Sequence, residues 1–267
     1  MNLETIDLRI DGTFAHITLN RPEVKNALNL QLTADLISAF TSLRDNHEVR
    51  AIVLSGAGGT FCAGGDLKEM REAYGDGNTS ADTTFEQVLT VINEAPQVVI
   101  AKIEGAAMGG GFGMVCVSDI AIASETAIMG LPEVKLGIAP AFISPYVIDR
   151  IGITRARELF LTARRFTGKI AYEYGLVHEV VAPDALDARI NALLKELRAC
   201  SPNAIRATKE LIFTVKDTPY TETVNYRAQL LQTLRASDDG QEGIAAFMGK
   251  RKPAWAQTNT EGDTDDS

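Results

Sequence analysis

Apolar and polar residues alternate in two short runs near the start of the chain, 5–10 and 14–19, on either side of Asp11-Gly12-Thr13. This alternation with a glycine-containing turn predicts a β-hairpin. The apolar residues that follow recur at helical spacing, which predicts a helix over Leu30–Arg44.

Strand and helix patterns then alternate along the chain. Three continuous apolar runs are typical of buried strands in a parallel sheet: 51–54, 98–103 and 120–123. Helical patterns lie between or after them: after Asp66, over 84–94 and after 105–111. This order predicts an α/β fold built of parallel βαβ units.

The last third of the chain has a different character. From position 144 onward apolar residues recur mainly at helical spacing, with one strand predicted at 176–181. We therefore expect a core over 1–200, a carboxy-terminal helical region over 201–256 and a disordered acidic tail over 257–267. The polar stretch 75–83 is predicted to be a mobile loop at the rim of the site.

Charge and cysteine content exclude several classes of protein. The formal net charge is −9, although four of the 35 acidic residues lie in the tail, namely Glu261, Asp263, Asp265 and Asp266. An acidic chain argues against nucleic-acid binding, which requires a basic face. The three cysteines form no Cys-x-x-Cys pair, and no apolar run approaches the ~18 residues of a membrane span. Since no leader-like segment is present either, we expect a cytoplasmic protein with no metal, no nucleic-acid partner and no membrane partner.

Two glycine clusters carry the candidate chemistry, 61–66 and 105–111, and each lies between a predicted strand and a predicted helix. Glycine lets the backbone approach a ligand closely, and the first amides of a helix have no intrahelical acceptor. If the two loops meet at the ends of neighbouring strands, they form a pocket in which two amides bind an anion. The alternative is that both are tight strand–helix turns without a ligand.

With these motifs the chain resembles the crotonase, or enoyl-CoA hydratase/isomerase, superfamily over nearly its whole length. The resemblance rests on an ordered series: Ile17-Thr18-Leu19-Asn20-Arg21-Pro22, Asn26-Ala27-Leu28-Asn29, Phe61-Cys62-Ala63-Gly64-Gly65-Asp66, Gly109-Gly110-Gly111, Pro132-Glu133-Val134 and Ala246-Phe247-Met248. It implies the crotonase (ClpP-like) fold, a spiral of ββα units with a carboxy-terminal helical region. It also implies an acyl-CoA substrate, with no cofactor besides the coenzyme A of that substrate.

The resemblance assigns roles to individual residues. Gly65 and Gly110 would provide the two amides that hold the thioester oxygen as it gains enolate charge. Glu133 would be the acid or base, while Gly113 stands where typical hydratases carry a first glutamate. The residues expected to bind coenzyme A are Lys25, Ala27, Cys62, Ala63, Gly64, Asp66, Leu67, Lys68, Phe247 and Lys250, the last two reaching an adjacent subunit. For Lys25 and Lys68, an ordinary solvated surface position is the alternative.

One carboxylate allows more than one reaction. A hydratase and a Δ3,Δ2-enoyl-CoA isomerase both fit, and a non-catalytic or RNA-binding family member is a further alternative. The stretch 133–147 resembles a bacterial branch described as methylglutaconyl-CoA or carboxygeranoyl-CoA hydratases, so hydration is the leading prediction. The resemblance also implies a homotrimer or a dimer of trimers.

Overall fold

The chain forms two compact units, Met1–Ala192 and Leu193–Ser267, in this computed structural model. The structure describes residues 3–69 and 80–257, with the backbone alone for 80–83. The predicted mobile loop lies outside the described residues, except that 80–83 begin a helix. The predicted disordered tail lies outside them as well, apart from Gln257. A trimerisation role for the carboxy-terminal helices stays a prediction.

Strands and helices alternate through the first unit. Within the described residues its strands are β1 (Ile6–Asp11), β2 (Phe14–Leu19), β3 (Ala51–Gly56), β4 (Val98–Ile103), β5 (Ala106–Met108), β6 (Ile120–Ser124), β7 (Ile128–Gly130), β8 (Phe166–Thr167) and β9 (Glu179–Val181). Its α-helices there are α1 (Leu30–Arg44), α2 (Ser80–Asn93), α3 (Gly110–Val117), α4 (Ser144–Thr162), α5 (Gly168–Glu173) and α6 (Leu186–Arg198), the last of which crosses into the second unit.

Six strands form the main sheet in the order β1-β2-β3-β4-β6-β9, and β5-β7-β8 form a small second sheet. The pair β1–β2 is the predicted antiparallel hairpin, whereas the other pairs of the main sheet are parallel. Leu54, Ile100 and Ala121 on the central strands are fully buried, as the continuous apolar runs indicated. The predicted α/β class is therefore confirmed.

The helix α1 and the strand β4 have the bounds that their patterns predicted. Asn29 caps α1, since its side-chain oxygen accepts a hydrogen bond from Leu32 N–H at 2.9 Å. The patterns do not predict the short strands β5, β7 and β8, because two or three residues are too few to show a period. The first of the helices predicted after position 144 is α4, which is interrupted at Gly152 with φ 74° and ψ 159°.

A backbone ladder joins the two glycine clusters. Cys62 N–H donates to the Ala106 carbonyl at 2.9 Å, and the Cys62 carbonyl accepts from Met108 N–H at 2.9 Å. A Cβ on Gly111 would lie 2.7 Å from the Cβ of Cys62, so α3 approaches this segment closely only because residue 111 is glycine. The loop after β3 and the loop after β4 therefore run side by side.

Asn26 fixes the segment that precedes α1. Its side chain is fully buried, with a left-handed backbone at φ 56°. The side-chain oxygen accepts from Arg21 N–H at 2.9 Å, and the side-chain amide donates to the carbonyls of Ala57 at 2.9 Å and Thr60 at 2.7 Å. One amide thus connects this segment to the loop after β3.

The second unit is helical, with α7 (Pro202–Lys216), α8 (Val224–Ala236) and α9 (Asp238–Met248). The Ser201 hydroxyl donates to Asp239 at 2.5 Å, and Trp255 Nε1 donates to the Ala199 carbonyl at 3.1 Å. Arg251 and Glu242 form an ion pair at 2.6 Å. None of the helices in the described part of the chain combines the length and apolar character needed to cross a bilayer.

We expect Asn26→Ala to lower the free energy of unfolding by about 2–4 kcal/mol, because it leaves buried backbone groups without their partners. Urea unfolding followed by circular dichroism measures the change. The control is Asn20→Ala, which removes an exposed hydrogen bond to Asp7 and should change the free energy by less than about 0.5 kcal/mol. Equal effects of the two substitutions would contradict the role of Asn26.

Candidate active site

A cavity of roughly 530 Å³ lies where the two glycine clusters meet. Its walls are mostly apolar and come from 28–30, 63–67, 109–110, 132–133 and 138–143, together with Thr33, Glu69, Phe85 of α2 and Leu136. The predicted site residues that line it are Ala63, Gly64, Gly65, Asp66, Leu67, Gly110 and Glu133. The chain therefore brings both proposed amides and the proposed acid or base to one cavity.

The backbone pairing of Gly64 and Asp66 with Leu28 fixes the position of Gly65. Leu28 N–H donates to the Gly64 carbonyl at 2.8 Å, and Asp66 N–H donates to the Leu28 carbonyl at 2.8 Å. In such a parallel bridge the intervening residue directs its own N–H to the opposite side. Gly64 itself lies beside the second cluster, because a Cβ on it would be 3.1 Å from the Met108 carbonyl oxygen and 3.8 Å from Gly109 Cα.

Gly110 is the first residue of α3, so its N–H has no intrahelical acceptor. Gly109 precedes it at φ 50° and ψ −116°, a conformation that favours glycine. Among the described residues, neither the Gly65 N–H nor the Gly110 N–H donates to a protein acceptor. Both amides are thus available to a ligand in the cavity.

Glu133 begins a short 3-10 turn, Glu133–Leu136, directly after Pro132. A Cβ on Gly109 would lie 3.1 Å from Glu133 Oε1, so the carboxylate rests against a glycine that has no side chain to displace it. Glu133 Oε2 is buried and has no hydrogen-bond partner among the residues that the structure describes. Burial raises the pKa of the Glu133 carboxyl above its usual value, and a hydrogen bond from its own backbone opposes this in part.

Two other carboxylates line the cavity, and both are bound to protein groups. Asp66 pairs with Arg21 at 3.3 Å. Glu69 accepts from the Asn29 side-chain amide at 2.8 Å and from Leu30 N–H at 3.2 Å. Glu133 is therefore, among the described lining residues, the carboxylate with an unpartnered buried oxygen.

Gly113 is buried beneath another side chain. A Cβ added to Gly113 would lie 2.3 Å from Ile143 Cγ2 and 3.4 Å from Leu89 Cδ2. Ile143 lines the cavity and is 3% exposed. The volume of the missing glutamate is thus filled with apolar atoms. The sequence assigned no role to Ile143, because no periodicity or motif indicates that two residues thirty positions apart touch.

Besides Phe247 and Lys250, four of the predicted coenzyme A residues lie outside the cavity lining, and their contact with coenzyme A stays a prediction. Cys62 is fully buried behind the wall, and burial raises the pKa of its thiol to about 12. Ala27 is 9% exposed, and its carbonyl accepts from Arg21. Lys25 and Lys68 are exposed.

Phe247 and Lys250 lie at the end of α9, in the second unit, where Phe247 is 87% exposed. Their contact with the coenzyme A of an adjacent subunit stays a prediction. Within 3–69 and 80–257, no group of three His, Cys, Asp or Glu residues is arranged to hold a metal ion. The lack of a cofactor stays a prediction as well.

We expect Glu133→Gln to be more stable than the wild type at pH 8. A folded-state pKa above the unfolded value means that ionisation costs stability, a cost that is absent below the unfolded pKa and grows as pH rises through the folded pKa. The stability difference should therefore vanish below about pH 4. Urea unfolding across this pH range measures it. A constant difference at all pH values would contradict the argument, and exposed Glu173→Gln is the control.

Comparison with known proteins shows which family this chain is similar to. The family model described as enoyl-CoA hydratase/isomerase matches residues 9–258. The solved structure of Pseudomonas aeruginosa AtuE is 44% identical with a TM-score of 0.93, and the match covers 95% of this chain and 100% of that chain. The probable enoyl-CoA hydratase echA8 of Mycobacterium tuberculosis is 34% identical over 264 residues, which cover 96% of this chain and 99% of that protein.

A relative with a different activity in its name matches to a similar extent. The peroxisomal Delta(3,5)-Delta(2,4)-dienoyl-CoA isomerase of Arabidopsis thaliana is 32% identical over 269 residues, covering 96% of this chain and 97% of that protein. The matches extend over both units, and the structural match confirms the crotonase fold. Because sequence and fold agree over nearly the full length, this chain belongs to the enoyl-CoA hydratase/isomerase family.

Proposed function

We propose that this chain is an enoyl-CoA hydratase in which Gly65 and Gly110 stabilise an enolate and Glu133 is the single acid and base. The observation that carries the proposal is the buried, unpartnered Glu133 Oε2 in the same cavity as two free backbone amides. Unpaired titratable groups with shifted pKa values are typical of catalytic sites.

The two amides act on the thioester oxygen. As a nucleophile adds to C3 of a 2-enoyl thioester, charge moves through C2 to that oxygen. Fixed N–H donors in a mostly apolar cavity stabilise this charge without reorganisation, by about 3–4 kcal/mol for each donor. The same donors lower the barrier to removing a proton from C2, so one arrangement serves several reactions that pass through an enolate.

Glu133 carries the proton in the hydration. Its carboxylate takes a proton from water while the water oxygen bonds to C3, and the π electrons move to the thioester oxygen. The enolate then collapses, and C2 takes the proton from Glu133. The carboxylate is regenerated, so the net change is the addition of one water. A pKa raised by burial suits a group that must both accept and return a proton.

The coenzyme A portion would lie along 63–67, whose backbone lines the cavity. Lys25 and Lys68 are exposed and free to approach its phosphates. Phe247 and Lys250 of a neighbouring copy would complete this site in the proposed trimer or dimer of trimers. Lys25 and Lys68 also fit ordinary surface positions, so the catalytic proposal does not depend on them.

The isomerase is the second candidate, and the apolar wall at Gly113 favours it. Ile143 and Leu89 leave no second acid there to orient water. Glu133 alone could take a proton from C2 of a 3-enoyl thioester and return it at C4, which shifts the double bond without adding water. The resemblance to the Arabidopsis isomerase supports this alternative as well.

A panel of thioesters separates the candidates. We expect wild-type protein to add 18 mass units to 2-enoyl-CoA substrates, and Glu133→Gln to lose roughly 100-fold or more in kcat with little change in KM. A 3-enoyl-CoA that turns over without a mass change would establish the isomerase instead. Glu173→Gln is the matched control, since Glu173 is exposed on α5. Absence of turnover on every thioester would contradict both candidates.

Two substitutions at Gly110 test the amide. Alanine and proline both add a Cβ, which would meet Leu28 Cδ1 at 2.6 Å and Phe85 Cζ at 3.0 Å, but only proline deletes the N–H. Proline is compatible with the first position of a helix. We expect Gly110→Pro to have a kcat about 100–1,000-fold below that of Gly110→Ala. Steady-state kinetics on folded variants measures the ratio, and equal kcat values would remove the Gly110 amide from the mechanism.

A further inference from the structure

The wall around Gly113 is built from a complementary pair of residues. Gly113 has no side chain, and Ile143 places Cγ2 2.3 Å from the position where one would begin. The Cβ of Ile143 lies 3.1 Å from the same point. Neither residue can be exchanged for a larger one without moving the other.

The pair lies close to the reacting carbons of a bound acyl group. Gly110 and Gly113 are three residues apart on α3, so they lie on the same helix face. Three residues of a helix rise about 4.5 Å. If the Gly110 amide holds the thioester oxygen, C3 and C4 of the acyl chain extend roughly that far along the same face, beside Ile143.

We propose that Ile143 determines reaction specificity: its side chain fills the volume beside Gly113, keeps that wall apolar, and so leaves proton transfer near C2–C4 to Glu133, the lining carboxylate with an unpartnered oxygen among the described residues. This inference rests on the proposed function and adds a residue to it. Ile143 exchanges no proton itself. It acts by excluding both a second carboxylate and the water that such a carboxylate would bind.

The physical reason is the cost of a charge in this wall. A carboxylate at 113 would replace contacts with Ile143 and Leu89 by an ion that needs hydrogen-bond partners. Shortening residue 143 makes room for that carboxylate and for water beside it. The balance between hydration and double-bond migration should therefore change only when positions 113 and 143 change together, or when the carboxylate comes from position 143 itself.

The first test is the double variant Gly113→Glu/Ile143→Ala, compared with Ile143→Ala alone. With crotonyl-CoA as the probe, we expect the double variant to hydrate at least about 10-fold faster than Ile143→Ala. Its kcat/KM should show a second ionisation, and hence a bell-shaped pH profile, where the wild type shows one. A folded double variant with one ionisation and no gain in rate would overturn the proposal.

The second test introduces the charge at position 143. Ile143→Glu should also add an ionisation to the pH profile, whereas the neutral Ile143→Gln, of the same size, should not. Identical profiles for the two variants would count against the proposal. Loss of fold in both carboxylate variants would count against it too, because the proposal requires that a carboxylate fit once Ile143 is shortened or replaced.

The outcome for Ile143 is separable from that of the proposed function. If the wild type turns over no thioester, or Glu133→Gln keeps its activity, the proposed function fails. If the wild type is active and Glu133→Gln is not, but neither carboxylate variant gains an ionisation, only the role of Ile143 fails.

Discussion

The backbone ladder between the two glycine clusters is the interaction on which the cavity depends. Cys62 uses both its N–H and its carbonyl in this ladder, and Gly111 packs directly on its side chain. Because backbone polarity alternates along an extended segment, a slip of one residue would reverse the direction in which the N–H groups of this segment point. The register of one short, buried pairing therefore decides whether two amides can bind one oxygen.

The paired glycine loops hold Glu133 in an environment where burial of its carboxylate costs stability. The backbone at Gly109 and its lack of a side chain let the carboxylate lie against the amide loop. There Oε2 loses water without gaining a protein partner, which costs free energy and raises the pKa. Such a cost is common at sites where a substrate provides the missing partner.

The Gly113–Ile143 contact shows how a mostly apolar site can be specialised without loss of packing. A glycine on α3 and an isoleucine before α4 fill one volume between them. No open gap remains beside Gly113, because Ile143 fills the volume that an acidic side chain at that position would need. Among the described lining residues Glu133 is the carboxylate with an unpartnered oxygen, so under the proposed function hydration and double-bond migration are the reactions to separate.

The sequence by itself determined the local elements, because their signals are local. Alternation specified the hairpin, helical spacing specified α1, and a run that is apolar except for Lys102 specified β4. Motif order also indicated Gly65, Gly110 and Glu133 as candidates, and the fold brings all three to one cavity. Only the tertiary structure decided that Cys62 lies behind the wall and that Ile143 covers Gly113. Those contacts depend on the path of the whole chain between the residues, which no short-range pattern records.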